Sequence, residues 1–195
     1  MERVVLLDEN GYACGTAEKR SVHHDQTPLH LAYSCYIFDS NGCFYATRRS
    51  FEKPTWPGTW TNSCCGHPAP GEALNHAVRR RVLEELGITL DDVRLVLPAF
   101  RYRAVMNNGI VENELCPVFS ATTSQVPQPD PAETDAISLV EWRQFAQRVA
   151  QGSFVVSPWC REQVSELVKV GSNPADWPAA SPRLLPPAAT WCDNC

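Results

Sequence analysis

The stretch EALNHAVRRRVLEEL, Glu72 to Leu86, constrains this chain most, because it reads as a helix whose apolar face carries two charges. It is rich in Ala, Leu, Arg and Glu and is stopped by Gly87, a residue that takes the left-handed conformation at helix ends without steric cost. At about 100° per residue, Leu74, Ala77, Val78 and Val82 share one arc, the face expected to meet a sheet. Arg81 and Glu85 fall inside that arc, whereas Arg80 and Glu84 lie opposite, four apart and able to pair in solvent. Burying Arg81 and Glu85 is costly unless each finds a partner. Two arrangements meet that requirement: an internal Arg81–Glu85 ion pair, or a polar cleft in which both face a metal and an anion.

Strand signals surround this helix. VVLLDENGYACGTA reads as two strands joined at Asn10-Gly11, and LAYSCYIFDSNGCFYATRR repeats the device at Asn41-Gly42, since Asn-Gly tolerates the positive φ of tight hairpins. KPTWPGTW interrupts regular structure. VRLVLPAFRYRA and GIVENELCPVFSA read as strands joined through Asn107-Asn108-Gly109, and a loop with prolines 127, 129 and 131 leads to the strand AISLVEW. A second helix is expected to begin near Ser157-Pro158. Strands around a central helix, with another helix late in the chain, predict an α/β sandwich with a mixed sheet. Residues 1–170 are expected to form one domain, and the proline-rich residues 171–195 a flexible or surface-draped extension.

Charge and cysteine usage narrow the function classes. With 17 Lys and Arg against 22 Asp and Glu, the net charge of −5 offers no global field for nucleic acid or an anionic membrane, so an anionic ligand requires a local basic cluster. No apolar run reaches the roughly 18 residues of a membrane span, and the opening MERVVLLDENGYACG lacks the long apolar stretch of a secretory signal. Nine irregularly spaced cysteines predict reduced thiols in the cytoplasm. The closing CDNC has CxxC spacing but sits in the proline-rich tail, where a bland role outweighs a metal or redox pair.

The stretch NSCCGHP, Asn62 to Pro68, raises the possibility of a zinc clip, but adjacent cysteines point apart in an extended chain and no second CxxC lies nearby. Five other residues suit a metal better. His23 and His30 flank HDQTP, a segment whose proline disfavours helix and allows a loop that turns both rings inward. Glu112 and Glu114, two apart in a strand, share a face with apolar Ile110 and Cys116, and two carboxylates there need a cation. With His67 the set offers three nitrogens and two oxygens, leaving one octahedral position for water or substrate. Each histidine taken singly suits an ordinary structural role equally well, and the glutamate pair a solvated strand face.

The order glycine, five residues, Glu72, seven residues, then RRVLEELGI from Arg80 resembles the Nudix box, a loop-helix-loop that holds a divalent ion against a diphosphate. The chain departs from it at Arg81, where Nudix hydrolases have a glutamate that helps bind the ions used in hydrolysis; an arginine cannot ligate a cation. Together with EKRSVHHDQTPLHLAYS, TRRSFEKPTWPGTWTNSCCGHP, FRYRA, GIVENELCPVF and SPW, the box resembles type 1 isopentenyl diphosphate isomerase over about Leu6 to Val168. The resemblance implies a Nudix-type α/β/α sandwich with a mixed β-sheet, and a prenyl diphosphate substrate. It implies His23, His30, His67, Glu112 and Glu114 as ligands of Mn2+, Mg2+ or Zn2+. Glu85 and the backbone carbonyl of Cys65 correspond to a Mg2+ site completed by the diphosphate.

On the same resemblance Cys65, rather than Cys64, is the catalytic cysteine, with Glu114 as the second proton carrier and Tyr102 hydrogen-bonded to it. Lys19, Arg49, Lys53 and Arg81 match the basic groups around the diphosphate, and Trp159 presents its ring to a tertiary carbocation. Trp56 and Trp60 are weaker candidates for excluding water. No nucleic-acid or membrane partner is expected, and the oligomeric state is left between monomer and weak homo-oligomer. Two rival activities share these residues: a Nudix pyrophosphohydrolase, against which Arg81 speaks, and a noncatalytic diphosphate-binding module.

Overall fold

The structure, a computed structural model, describes residues 2–192. Two sheets share two long paths of chain. The first path holds β3 (His30–Leu31) and β4 (Tyr33–Phe38); the second holds β10 (Val111–Leu115) and β11 (Val118–Thr122). β3 pairs in parallel with β10, and β4 with β11. At Ala32 and at Cys116-Pro117 both paths pass from one sheet into the other, bridged there by the amide of Ala32 to the carbonyl of Leu115 and that of Ser34 to Pro117.

β1 (Arg3–Leu7), β2 (Ala13–Glu18) and β9 (Arg101–Val105) complete the first sheet, in the order β2-β1-β3-β10-β9. The second runs β12-β5-β4-β11-β8, built with β5 (Cys43–Arg49), β8 (Asp92–Leu97) and β12 (Thr134–Glu141). Short β6 (Trp60–Thr61) pairs with β5, and β7 (Cys64–Gly66) with β4. Gly11 and Gly42 take φ of 82° and 80° at the two Asn-Gly turns.

β4 is buried on both faces, and its alternation divides the core. Tyr33, Cys35 and Ile37 pack with α1 (Leu74–Leu86), while Tyr36 and Phe38 pack with α2 (Trp142–Ala150) and α3 (Pro158–Val170). The second sheet therefore lies between α1 and the α2–α3 pair, the α/β/α arrangement expected. α1 buries Leu74, Ala77, Val78 and Val82 together with Arg81 and Glu85, as its periodicity requires.

Three details differ from the sequence reading. α1 starts at Leu74, two residues late, because Glu72 folds back on the loop, accepting from the amide of Ala69 at 2.8 Å and pairing with Arg80 at 2.7 Å. α2 was not expected, although Trp142, Phe145, Ala146 and Val149 repeat at helical spacing and Glu141 caps the amides of Arg143 and Gln144. Pro98 and Pro117 each divide a long apolar run into two strands of different sheets.

Residues 171–192 lie against the body. The Trp177 ring sits edge-on to Phe38 and Trp142, and the Trp191 ring stacks on Phe119. Ala73, at the N-cap of α1, has no side chain able to cap, and the carbonyl of Thr190 takes the first-turn amide of Leu74 instead. Cys195 of the closing CxxC lies outside the described residues.

Candidate active site

A cavity of about 680 Å³ is lined by both sheets, the loop 49–55, α1 and the start of α3. Twelve of the thirteen residues singled out from sequence line it: Lys19, His23, Arg49, Lys53, Cys65, His67, Arg81, Glu85, Tyr102, Glu112, Glu114 and Trp159. The thirteenth, His30, is fully buried, with its Nε2 3.4 Å from Glu114 Oε1.

The first sheet brings the imidazoles together. The register of β3 on β10 sets His30 directly beside Glu114, and His67 follows β7 into the same space. Ligand atoms of His23, His30, His67 and Glu114 lie within 4.8 Å of one another. Only His67 Nε2 reaches Glu114 Oε1 at hydrogen-bond distance, 3.1 Å; His23 stands 3.9 Å away. His23 Nε2, His30 Nε2 and His67 Nδ1 are buried and make no hydrogen bond among the described residues. Leaving such groups unsatisfied costs about 1–3 kcal/mol each.

Burial pushes His67 down to about 4, against a smaller upward pull from Glu114, so the ring is neutral at pH 7. Burial would lift the Glu114 carboxyl, but the three converging imidazoles outweigh it and hold it well below the usual range. Imidazole nitrogens without hydrogen-bond partners around an ionised carboxylate are the donor set of a divalent transition metal or magnesium, and the cluster fits such an ion.

Glu112, expected as a fifth ligand, stands outside that convergent group. Its Oε2 and Glu114 Oε2 each lie 2.8 Å from the Tyr102 hydroxyl, which has one proton to give. Burial, then the charge of Glu114, raises the Glu112 carboxyl. The single phenol proton thus lies between two carboxyls, and Tyr102 ties the orientation of Glu112 to that of Glu114.

Cys65 sits on β7, its Sγ 3.1 Å from Asn62 Oδ1 and 3.4 Å from Ser34 Oγ. Burial pushes its thiol up to about 11 despite those two hydrogen bonds, so it carries its proton at neutral pH. The resting state is therefore a proton donor rather than a thiolate. Cys64, pointing the other way, donates to Glu85 Oε2 at 3.3 Å and lies 4.0 Å from the Cys65 carbonyl, so that one thiol touches both groups implied in the second metal site.

The Trp159 ring meets Tyr102 at 5.6 Å and Trp56 edge-on at 5.3 Å, and the Arg49 guanidinium lies 5.5 Å from its centroid. Trp60 packs on Phe154 and is not among the lining residues.

At the basic end, Arg81 pairs with Glu85 at 2.6 Å, so the internal ion pair and the cleft coexist. Burial raises the Glu85 carboxyl, and Arg81 counters it. Lys19 pairs with Glu2 at 2.6 Å, and Arg49 grips the Thr55 carbonyl. Glu133, which sequence reasoning missed, joins Lys53 and lies 2.6 Å from Arg81. Its loop carries no spacing signal; only the fold brings it opposite α1. Asn62 and Ser34 were likewise missed as partners of the thiol.

A two-sheet α/β fold with a loop-helix-loop of this kind defines a NUDIX domain protein, and residues 28–160 match the NUDIX domain family. A protein from Deinococcus radiodurans superposes with a TM-score of 0.65 at 19% identity, over 85% of this chain and 98% of that one, and a MutT protein from Methanosarcina mazei at 0.57 and 20%, over 74% and 96%. At these identities the likeness is one of fold. The isopentenyl-diphosphate Delta-isomerase of Saccharopolyspora erythraea is 56% identical over 189 residues, 97% of either chain, and that of Rhizobium rhizogenes 55% over 190 residues, covering 96% of this chain and 90% of its own. This chain belongs to the isopentenyl-diphosphate Delta-isomerase family within the NUDIX fold.

Proposed function

We propose that the protein interconverts isopentenyl and dimethylallyl diphosphate, moving a double bond by protonation at one carbon and deprotonation at another. The observation that carries this reading is the half-buried Cys65 thiol and the buried Glu114 carboxyl lining one cavity whose other end is basic. An unactivated alkene is a weak base, so the site must deliver a proton and stabilise a tertiary cation.

In the direction of isopentenyl diphosphate, the Cys65 thiol gives its proton to the terminal carbon and the Glu114 carboxylate takes one from the neighbouring methylene. Tyr102, hydrogen-bonded to Glu114, orients that carboxyl. Trp159 offers ring density to the cation, worth roughly 2 kcal/mol in a dry site. Lys19, Arg49, Lys53 and Arg81 hold the diphosphate, and the side chains around Trp159 exclude water that would trap the cation.

His23, His30, His67, Glu114 and Glu112 would hold one divalent ion, Mn2+, Mg2+ or Zn2+, and Glu85 with the Cys65 carbonyl a Mg2+ shared with the diphosphate. Bound there, such ions supply charge stabilisation and fix the ligating groups. Residues 1–170 form the isomerase domain in this reading, with 171–195 as an extension. The workplace is the cytoplasm; among the described residues no helix is long and apolar enough to cross a membrane.

The test is incubation with magnesium and isopentenyl diphosphate in deuterated water, followed by NMR of the products. Deuterium-bearing dimethylallyl diphosphate is expected. Cys65→Ala should abolish it while retaining diphosphate binding. Release of phosphate without isomerisation would instead mark a pyrophosphohydrolase.

A further inference from the structure

Asn62 has no part in the chemistry above, yet it is fully buried and touches two of the groups proposed to act. Its Nδ2 donates to the carbonyls of Cys64, at 2.8 Å, and Cys35, at 3.2 Å. Its Oδ1 accepts from Trp159 Nε1 at 3.2 Å, from the Thr61 hydroxyl at 3.0 Å and from Cys65 Sγ at 3.1 Å. The amide orientation follows from chemistry alone: carbonyls only accept and an indole N–H only donates, so Nδ2 faces the carbonyls and Oδ1 the indole.

The arrangement extends to the start of α3. Thr61 spends its one proton on Asn62, so Ser157, 2.8 Å away, donates to Thr61. Ser157 is also the N-cap of α3, accepting from the amide of Cys160, and Trp159 lies in that helix's first turn. One side chain thus ties β7, which carries the thiol, to α3, which carries the indole.

We propose that Asn62 is a positioning residue that fixes the Cys65 sulfur and the Trp159 ring relative to each other across the cavity. This rests on the isomerase reading. With no acceptor at Oδ1, the thiol keeps only its longer contact to Ser34 Oγ and the indole N–H is left buried without a partner, while the basic end and the imidazole cluster keep their own contacts. The effect belongs to the chemical step rather than to substrate capture.

Asn62→Ala should therefore lower kcat about 100-fold, the scale of a reacting group displaced by about 1 Å, with KM and the affinity for magnesium pyrophosphate changed less than about threefold. The NMR resonance of the Trp159 indole N–H, assigned by its absence in Trp159→Phe, should shift and lose protection from exchange. Unchanged kcat, or a loss of kcat matched by loss of pyrophosphate binding and thermal stability, would reduce Asn62 to a core amide. Should Asn62→Ala fail to fold, Asn62→Asp keeps an oxygen at Oδ1 but loses the amide's grip on both carbonyls. It should show kcat about tenfold below the parent, the worth of one hydrogen bond, at unchanged KM; parental kcat overturns the proposal. If the unsubstituted chain does not isomerise, the reading of function fails, while the indole signal and the Cys65 rotamer in a crystal of Asn62→Ala still judge the positioning role.

Discussion

At one end of the cavity three imidazoles crowd a single carboxylate, and three of their ring nitrogens make no hydrogen bond among the described residues; at the other, Lys19, Arg49, Lys53 and Arg81 each lean on an oxygen of the protein. The difference separates two ways of preparing for a charged ligand. The imidazole end holds donor atoms in surplus, so a cation gains bonds to nitrogens that have no partner and displaces only the hydrogen bond between His67 and Glu114. The basic end is already partly neutralised, so an anion that engages Lys53, Arg81 and Lys19 must displace Glu133 from the first two and Glu2 from the third. Specific capture at the first end rests on geometry, and at the second on exchange of partners.

The largest effect should come from breaking the imidazole end. His67→Gln should weaken metal binding by more than the 10–100-fold typical of changes to the groups supporting a ligand, measured by titration with manganese or zinc. The rise in Tm on adding metal should vanish with it, and pyrophosphate binding without metal should persist. Equal affinity in the variant would remove His67 from the ligand set.

Proton linkage sharpens the contrast next. His67 is held near 4 in the folded chain against an ordinary 6.5, so between those values the unfolded chain binds the extra proton. Stability therefore falls as pH drops from about 6.5 toward 4. Glu114, also depressed, acts in the same direction, its contribution being lost as pH falls through its folded value. His30 opposes them. Burial would lower it, but Glu114 raises it overall, so its contribution is present below 6.5 and lost as pH rises through the folded value. In chelator, the urea midpoint should decline from pH 7 to pH 5, and His67→Gln should flatten that slope. A slope unchanged by the substitution would assign the dependence to other groups.

The smallest shift is expected at the basic end. Glu133→Gln removes the resident competitor, and KM for the diphosphate should fall about fivefold at low salt, for a partly exposed ion pair worth about 1 kcal/mol, with kcat unchanged. The gain should shrink as salt is added. A higher KM would mean that Glu133 helps to hold the ligand, through a cation, rather than competing with it.

Periodicity reveals the most where a residue's neighbours are local. Arg81 and Glu85 stand out because helical spacing alone places them among apolar side chains, and Glu112 and Glu114 because strand alternation does the same. The two hairpins are legible from Asn-Gly for the same reason. α2 carries a helical spacing of its own, but the strand before it runs directly into Trp142 with no break to separate the two patterns. Glu133, Ser34 and the contacts of Asn62 were not legible, because they depend on segments 30–100 residues apart in sequence meeting across the sheets. The departure of Glu112 from the convergent donor group has a similar origin: one face of a strand fixes direction, and only Tyr102 on the next strand decides where the carboxyl turns.

The carbonyl of Thr190 standing in for the missing cap at Ala73 also bears on the order in which this protein takes shape. Asn75, in the first turn of α1, is bonded to Cys192 across 117 residues of sequence. On the ribosome, then, the first turn of the helix that carries Arg81 and Glu85 stays uncapped, its leading amide open to water, until residues 171–192 have emerged and folded back. A stalled or clipped product would still display the histidine cluster while the first turn of that helix frays.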